Sequence, residues 1–307
     1  MNLEIRLFRR SDRDQLAALV NAHVEVVVPG GAIPVNSVLT QLEREPGEFI
    51  VDPWVAERMT LVGEQTNGIV AAALLHRYRT DADVPERYRG AGEIRWLVFM
   101  PLRAANNAQW HDGNAAAVAL ISHCEKQFRD WQCAVVYADG ALPSPGVYGV
   151  PEQWPHVAAL YRNAGFAPSN RESVYLADLA AIAPPRPTPG RELRIHRSVG
   201  INGVRFTATS DSTPLGYIEV ERQTGPDRRS GPVVADIGNL WVIDGRQRNG
   251  IGTLLLQHAA AWLRLGCVDL LLAYASPDTA TDGPMRAFLA SNEFALVTTT
   301  ERGWTRT

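Results

Sequence analysis

The chain has 307 residues, 46% of them apolar and 21% charged, with a formal net charge of −3 at pH 7. That length suits two domains of about 150 residues, the composition is that of an ordinary globular protein, and the slight acidity leaves no electrostatic footprint for nucleic acid. There is no run of about 18 apolar residues and no apolar core of signal length near Met1. The three cysteines, Cys124, Cys133 and Cys267, lack metal-ligand spacing. A cytoplasmic protein with no membrane span is expected.

Glu4 to Phe8 alternates as a first strand. Ser11-Asp12-Arg13-Asp14 supplies capping side chains for a helix over Gln15–Val26. A second helix is expected at Val38–Arg44, inside a stretch broken by proline and glycine. Trp54–Val62 and Gly68–His76 flank Gln65-Thr66-Asn67-Gly68, where Asn-Gly signals a hairpin. Glu93–Met100 reads as a strand, and a connection through Asn106, Asn107 and His111 leads to Gly113. A helix then runs to about Trp131, and Cys133–Ala138 is a strand. A loop rich in proline and glycine covers Leu142–Pro155. The helix His156–Asn163 ends at Gly165, a residue suited to a C-terminal cap. Ser173–Leu179 closes this half as a strand. Ile182–Arg191 holds four prolines, which exclude helix and central strand and favour an extended spacer. The chain therefore divides into residues 1–181, a linker at 182–191, and residues 192–307.

The second half opens with a hairpin, Val204–Ala208 and Leu215–Glu221, around Ser210–Thr213. Asp236–Ile243 is a strand. A polar turn, Asp244–Asn249, and two glycines, Gly250 and Gly252, then open a helix carrying Leu254, Leu255, Ala259, Trp262 and Leu263 at helical spacing. The first turn of a helix has unpaired N–H groups and a dipole that favours negative charge, and glycine lets a phosphate approach the backbone. This turn is an anion-binding candidate. Three glycines over six positions would mark a dinucleotide fingerprint and Gly-Lys-Ser/Thr a Walker loop; neither is present. Val268–Ala275 is a buried strand, Met285–Ser291 a short helix, and Leu296–Trp304 the close.

The halves repeat one order: hairpin, strand, glycine turn, long helix, buried strand, short helix, phenylalanine, last strand. Glu93–Val98 faces Asp236–Val242. Gly113-Asn114-Ala115 faces Gly250-Ile251-Gly252. Leu160–Phe166 faces Phe288–Phe294.

Gln247-Arg248-Asn249-Gly250-Ile251-Gly252 fits Gln/Arg-x-x-Gly-x-Gly/Ala and resembles the acyl-CoA pyrophosphate loop of the GNAT superfamily of N-acetyltransferases. The repeat makes the chain similar to a tandem arrangement of that family. The resemblance implies an α/β fold of two GNAT-like domains, each a mixed twisted sheet flanked by helices. It implies acetyl-CoA as acyl donor and, as acceptor, a primary amine on a small molecule or peptide, with no metal, nucleic acid or membrane partner. The cofactor-binding residues it points to are Leu240, Trp241 and Val242 of the pre-loop strand, then Gln247, Arg248, Asn249, Gly250, Ile251, Gly252 and Thr253. Arg246 can add a charge-assisted contact. Asp236 and Glu93 are the candidate bases and Tyr161, in Leu-Tyr-x-x-x-Gly-Phe, the candidate general acid. Leu289 stands where the second half would keep that tyrosine; Tyr274 and Ser276 are its candidate substitutes, or contacts to pantetheine.

The halves depart from the family in opposite ways. The first has the tyrosine but a degraded loop, with Trp110 and the repelling charge of Asp112 beside Gln109. The second has the better loop, but only about a dozen residues before its hairpin, too few for a strand and two helices. Three readings follow: catalysis in the second half with its acceptor groove completed by the first, catalysis in the first half through Tyr161, or acyl-CoA sensing without catalysis. The seven histidines form no His-x-x-x-His pair and Gly-x-Ser-x-Gly is absent, so neither a zinc site nor a hydrolase elbow is expected.

Overall fold

The computed structural model describes residues 3–43, 54–66, 68–100, 113–144, 146–186, 193–223, 232–277 and 282–306. Its elements in chain order are β1 (Glu4–Leu7), α1 (Arg13–Glu25), α2 (Val35–Glu43), β2 (Val55–Gln65), β3 (Gly68–Tyr78), β4 (Gly92–Phe99), α3 (Asn114–Asp130), β5 (Val136–Ala138), β6 (Val150–Pro151), α4 (Pro155–Asn163), β7 (Phe166–Ala167) and β8 (Asn170–Asp178). There follow β9 (Arg194–Val199), β10 (Val204–Ser210), β11 (Thr213–Arg222), β12 (Val234–Val242), α5 (Ile251–Leu265), β13 (Leu270–Ala275), α6 (Asp282–Ala290), β14 (Ala295–Arg302) and β15 (Trp304–Arg306). The loop at 101–112 and most of the linker, 187–192, lie outside the described residues.

Two compact units form: Met1–Arg171 with Thr299–Thr307, and Glu172–Thr298. The first unit's sheet runs β1-β2-β3-β4-β5-β15-β7. It is antiparallel through β1–β4, and β4 and β5 are parallel. Ile69 to His76 of β3 is buried at every residue, the signature of a central strand with both faces covered. Its core joins Leu16, Leu19 and Val20 of α1 with Leu120 and Phe128 of α3 and Trp96 of β4.

The second unit's sheet runs β14-β8-β13-β12-β11-β10-β9. The hairpin β10–β11 turns at Asp211 and Ser212, both at positive φ, the backbone that matches hairpin twist. Leu255, Leu256, Ala259 and Leu263 of α5 and Leu289 of α6 share one core with Phe206, Ile218, Ala235 and Leu271. The sequence reading passed over β9. That strand is present, but nearly all its residues are exposed, so it lacks the apolar alternation by which strands are recognised.

The halves do not keep their own last strands. Ser173–Asp178 of β8, expected to close the first half, pairs antiparallel with Leu270–Ala275 of β13 in the second unit. Conversely, β15 at the end of the chain lies between β5 and β7 of the first unit, with Trp304 fully buried.

Candidate active site

In the second unit, β12 pairs along one edge with β11 from Ala235 to Val242. Along the other edge its parallel pairing with β13 covers only Val234–Asp236 against Leu270–Leu272. The strands part beyond Asp236. From Ile237 to Val242 one row of backbone groups of β12 is thus outside the β13 ladder, and such groups seek partners. A bulge lies at the same place: Val220 faces Ile237 and Glu219 faces Asn239, leaving Gly238 as the extra residue. The expected pantetheine contacts Leu240, Trp241 and Val242 sit on this diverging segment.

The turn that follows is built on positive φ at Gly245 (+76°), Arg248 (+58°) and Gly250 (+81°). Gly250 caps α5, and the Leu254 amide donates to its carbonyl at 2.9 Å. The two glycines do different work. A Cβ at Gly250 would find no described atom within 4 Å, so that residue is needed for its left-handed backbone and leaves open space before the first-turn amides. A Cβ at Gly252 would meet the Phe288 ring at 3.3 Å, so that glycine sets the approach of α6 to α5. Arg246 and Arg248 are exposed, while Asn249 and Thr253 are half-buried and Ile251 is buried. Gln247 Nε2 donates back to the Val242 carbonyl and to Asp244 Oδ1, both at 3.3 Å. It closes the turn from within.

Asp236 stands where β12 leaves β13. Oδ2 accepts from Gln223 Nε2 at 2.5 Å, and Oδ1 is buried with no hydrogen-bond partner among the described residues. Burial, then the neighbouring charge of Glu221, pushes its pKa up to about 6. Leu272 lies opposite Asp236 in the parallel register. Tyr274, two residues on, therefore shares the face of Asp236, and Ser276 follows the end of β13, half-buried.

The first unit repeats this frame. β4 and β5 pair only over Gly92–Ile94 with Val136–Ala138, and Arg95 is the bulged residue between Ile94 and Trp96. The registers put Glu93 at the place of Asp236, as the sequence alignment had it. The chemistry differs. Glu93 is buried, accepts from the Tyr78 hydroxyl and has Arg95 Nη1 at 3.7 Å. Tyr161, the expected general acid, is fully buried. Its ring packs on Phe166 and Trp304, and its hydroxyl donates to the Asp139 carbonyl at 2.9 Å. Burial raises its pKa well above the tyrosine range. The structure thus puts Tyr161 in the core, with its proton already committed to the backbone.

The first unit also holds a histidine pair that sequence reading missed. His23 Nδ1 lies 2.9 Å from the Leu19 carbonyl, and its Nε2 lies 3.2 Å from His156 Nε2. With Nδ1 of His23 protonated for Leu19, its Nε2 accepts from His156. Burial lowers both pKa values to about 4. No local signal joins residues 133 positions apart. Gln223 and Glu221 were missed for a simpler reason: they extend β11 opposite Asp236, and only the register shows it.

Among the described residues, no helix is long and apolar enough to cross a membrane, and no group of three or more His, Cys, Asp or Glu is placed to hold a metal ion. Residues 173–281 match the family model described as Acetyltransferase (GNAT) family. The match thus begins one residue into the second unit. Among solved structures, the fold is similar to a tandem GNAT protein from the clavulanic acid biosynthesis pathway (TM-score 0.65, 19% identity, 99% of this chain and 98% of that one). It is also similar to a GCN5-related N-acetyltransferase from Sphaerobacter thermophilus (TM-score 0.58, 13% identity, 99% and 94%). At these identities the likeness is one of fold. No curated protein matches the chain.

Proposed function

We propose that this chain, a tandem GNAT fold whose residues 173–281 form a GNAT acetyltransferase domain, moves an acetyl group from acetyl-CoA to a primary amine of a small molecule or peptide. In this reading the second unit binds the donor and does the chemistry. The repeat units are residues 1–181 and 192–307, joined at 182–191, each giving its last strand to the other unit's sheet.

The residues fit the donor. The open space at Gly250, the first-turn amides of Ile251, Gly252 and Thr253, and the exposed guanidinium groups of Arg246 and Arg248 suit a pyrophosphate. The free edge of β12 beyond Asp236 suits an amide-containing arm. Acetyl-CoA supplies an activated thioester. Asp236 receives the proton that the amine must lose as its nitrogen bonds to the acyl carbon. The backbone N–H groups of Leu240 and Val242, on the edge away from β11, are the candidates to donate to the developing oxyanion. Tyr274, on the face of Asp236, is the candidate to return a proton to the departing thiolate.

The observation that carries this reading is the contrast between the two matched carboxylates. Asp236 has one oxygen unpartnered among the described residues and a pKa near 6, the properties of a base poised for neutral pH. Glu93 is tied to Tyr78 and Arg95. An acetylation assay over a panel of amines tests it. Asp236→Asn should lower kcat by about 10²- to 10⁴-fold, the usual range for a lost general base, while acetyl-CoA still raises Tm. Tyr161→Phe should retain turnover. Full activity in Asp236→Asn, or its loss in a folded Tyr161→Phe, refutes the assignment.

A further inference from the structure

The end of β11 builds a setting around Asp236 that reaches beyond ladder pairing. Glu221 is directly opposite Asp236 in the antiparallel register. The Gln223 amide donates to the Val234 carbonyl at 3.0 Å, so the ladder continues one step past Ala235. Gln223 therefore shares a face with Glu221 and Asp236, since side chains two apart point the same way. Its side-chain amide reaches diagonally to Asp236 Oδ2 at 2.5 Å. A bond to one oxygen fixes the plane of the carboxylate. It also decides which oxygen is left over, and that oxygen is the buried Oδ1.

The same device is present in the first unit with other residues. His76 is opposite Glu93, and the Tyr78 amide donates to the Ala91 carbonyl at 2.9 Å. Tyr78 thus holds the place of Gln223, and its hydroxyl donates to Glu93. In both sheets the residue two beyond the carboxylate's cross-strand partner is its donor. The repetition marks a built position. The residue opposite has changed, however, from a histidine to a glutamate. Glu221 is exposed and, among the described residues, is the charged neighbour that acts on Asp236. From β13, Asp236 meets the apolar Leu272, with Tyr274 two residues further on the same face.

We propose that Gln223 and Glu221 are positioning residues for Asp236: Gln223 fixes the carboxylate with Oδ1 towards the acceptor amine, and Glu221 supplies the negative charge that makes the carboxylate a better proton acceptor. This rests on the reading of Asp236 as the proton acceptor. Two consequences of opposite sign follow. A hydrogen bond from a neutral donor favours the ionised form, and a like charge disfavours it. Removing Glu221 lowers the pH at which Asp236 ionises; removing the Gln223 amide raises it. Glu221→Gln is isosteric and exposed, so the fold tolerates it.

The test uses the full chain and two readouts. The first is carboxyl-carbon NMR titration of aspartate-labelled protein, with the Asp236 signal assigned by its loss in Asp236→Asn. The second is the pH profile of kcat with acetyl-CoA and the best amine of the panel. The midpoint should fall in Glu221→Gln and rise in Gln223→Ala, in both readouts. The plateau kcat should drop about tenfold in Gln223→Ala, with the KM for acetyl-CoA unchanged. Gln223→Tyr, which copies the first unit's donor, should restore part of that loss. An Asp236 midpoint unmoved in both variants overturns the proposal. A moved NMR midpoint with an unmoved rate profile upholds the pairing and overturns Asp236 as the proton acceptor.

Discussion

Trp304 makes the strongest prediction about stability, because a residue at the end of the chain completes the core of the first unit. The chain leaves β14, turns at Gly303 with φ +61°, and lays Trp304 beside Ala138 of β5 and Thr305 beside Ala167 of β7. The Trp304 ring is fully buried, stands edge-on to Tyr161 at 5.4 Å and lies beneath the Arg162 guanidinium at 5.2 Å. Its Nε1 donates to the Glu301 carbonyl at 3.0 Å. Truncating a buried tryptophan to alanine removes its transfer free energy and leaves a cavity, together about 3–5 kcal/mol. That is a large part of the roughly 5–15 kcal/mol that holds a domain folded. Hydrogen exchange read peptide by peptide gives the distribution of the loss. In Trp304→Ala, protection should fall in β5, β7 and α4, and the peptides of α5 and β13 should keep theirs. Urea unfolding followed segment by segment should place the lost stability in the first unit. Unchanged exchange in β5 and α4, or a loss confined to α5 and β13, would refute the placement of β15.

Two further outcomes follow from the same geometry. His23 and His156 have folded pKa values of about 4 against an unfolded value of about 6.5, so the unfolded chain takes up protons first as pH falls. The first unit should lose stability from about pH 6.5 down to about pH 4, with a slope approaching two protons; denaturant midpoints across that window measure it, and His23→Gln should remove about one proton from the slope. At Gly250, alanine meets no described atom and should cost only the left-handed strain of about 1–2 kcal/mol. Gly250→Asp adds a negative charge at the proposed pyrophosphate and should abolish the rise of Tm with acetyl-CoA, a shift that thermal denaturation reads directly.

Much of the frame was legible in the sequence, because it rests on local signals. The strand before Asp244, the glycine turn and the helix through Leu263 are set by periodicity and backbone permissiveness. The alignment of Glu93 with Asp236 holds in the sheet registers. What was not legible is long-range. Ser173–Asp178 has the same alternation whichever sheet it joins, so its pairing with β13 leaves no mark on the segment itself. Trp304 likewise reads as a closing aromatic of the second half, and only its neighbours Ala138 and Tyr161 show which core it fills. Tyr161 matched a motif by position, yet a helical position does not say whether the hydroxyl meets a substrate or, as here, the Asp139 carbonyl. Gln247 likewise matched the loop motif by position, and the motif does not say that its amide turns back to Val242 and Asp244.

The bulges explain why the two carboxylates diverged in chemistry while keeping one frame. In the first unit the extra residue is Arg95, whose guanidinium is 3.7 Å from Glu93. In the second it is Gly238, and a Cβ there would come within 2.5 Å of the Asn202 Cβ, closer than real Cβ atoms approach. Asn202 is itself held, since its Nδ2 donates to the buried Glu219 at 3.3 Å. Glu219 also accepts from the Ile201 amide at 3.0 Å and from Arg205 Nε at 2.8 Å. Moving Asn202 aside to admit a side chain would break contacts to a buried carboxylate, a penalty of several kcal/mol. The packing of the β9–β10 turn thus reserves the bulge for glycine, and with it keeps a cation like Arg95 away from Asp236. Burial and the like charge of Glu221 opposite push the Asp236 carboxylate towards the neutral range, against the hold of Gln223 on one oxygen. The setting of Asp236, the proposed base, is in this sense a product of how Asn202 packs, two strands away from the proposed chemistry.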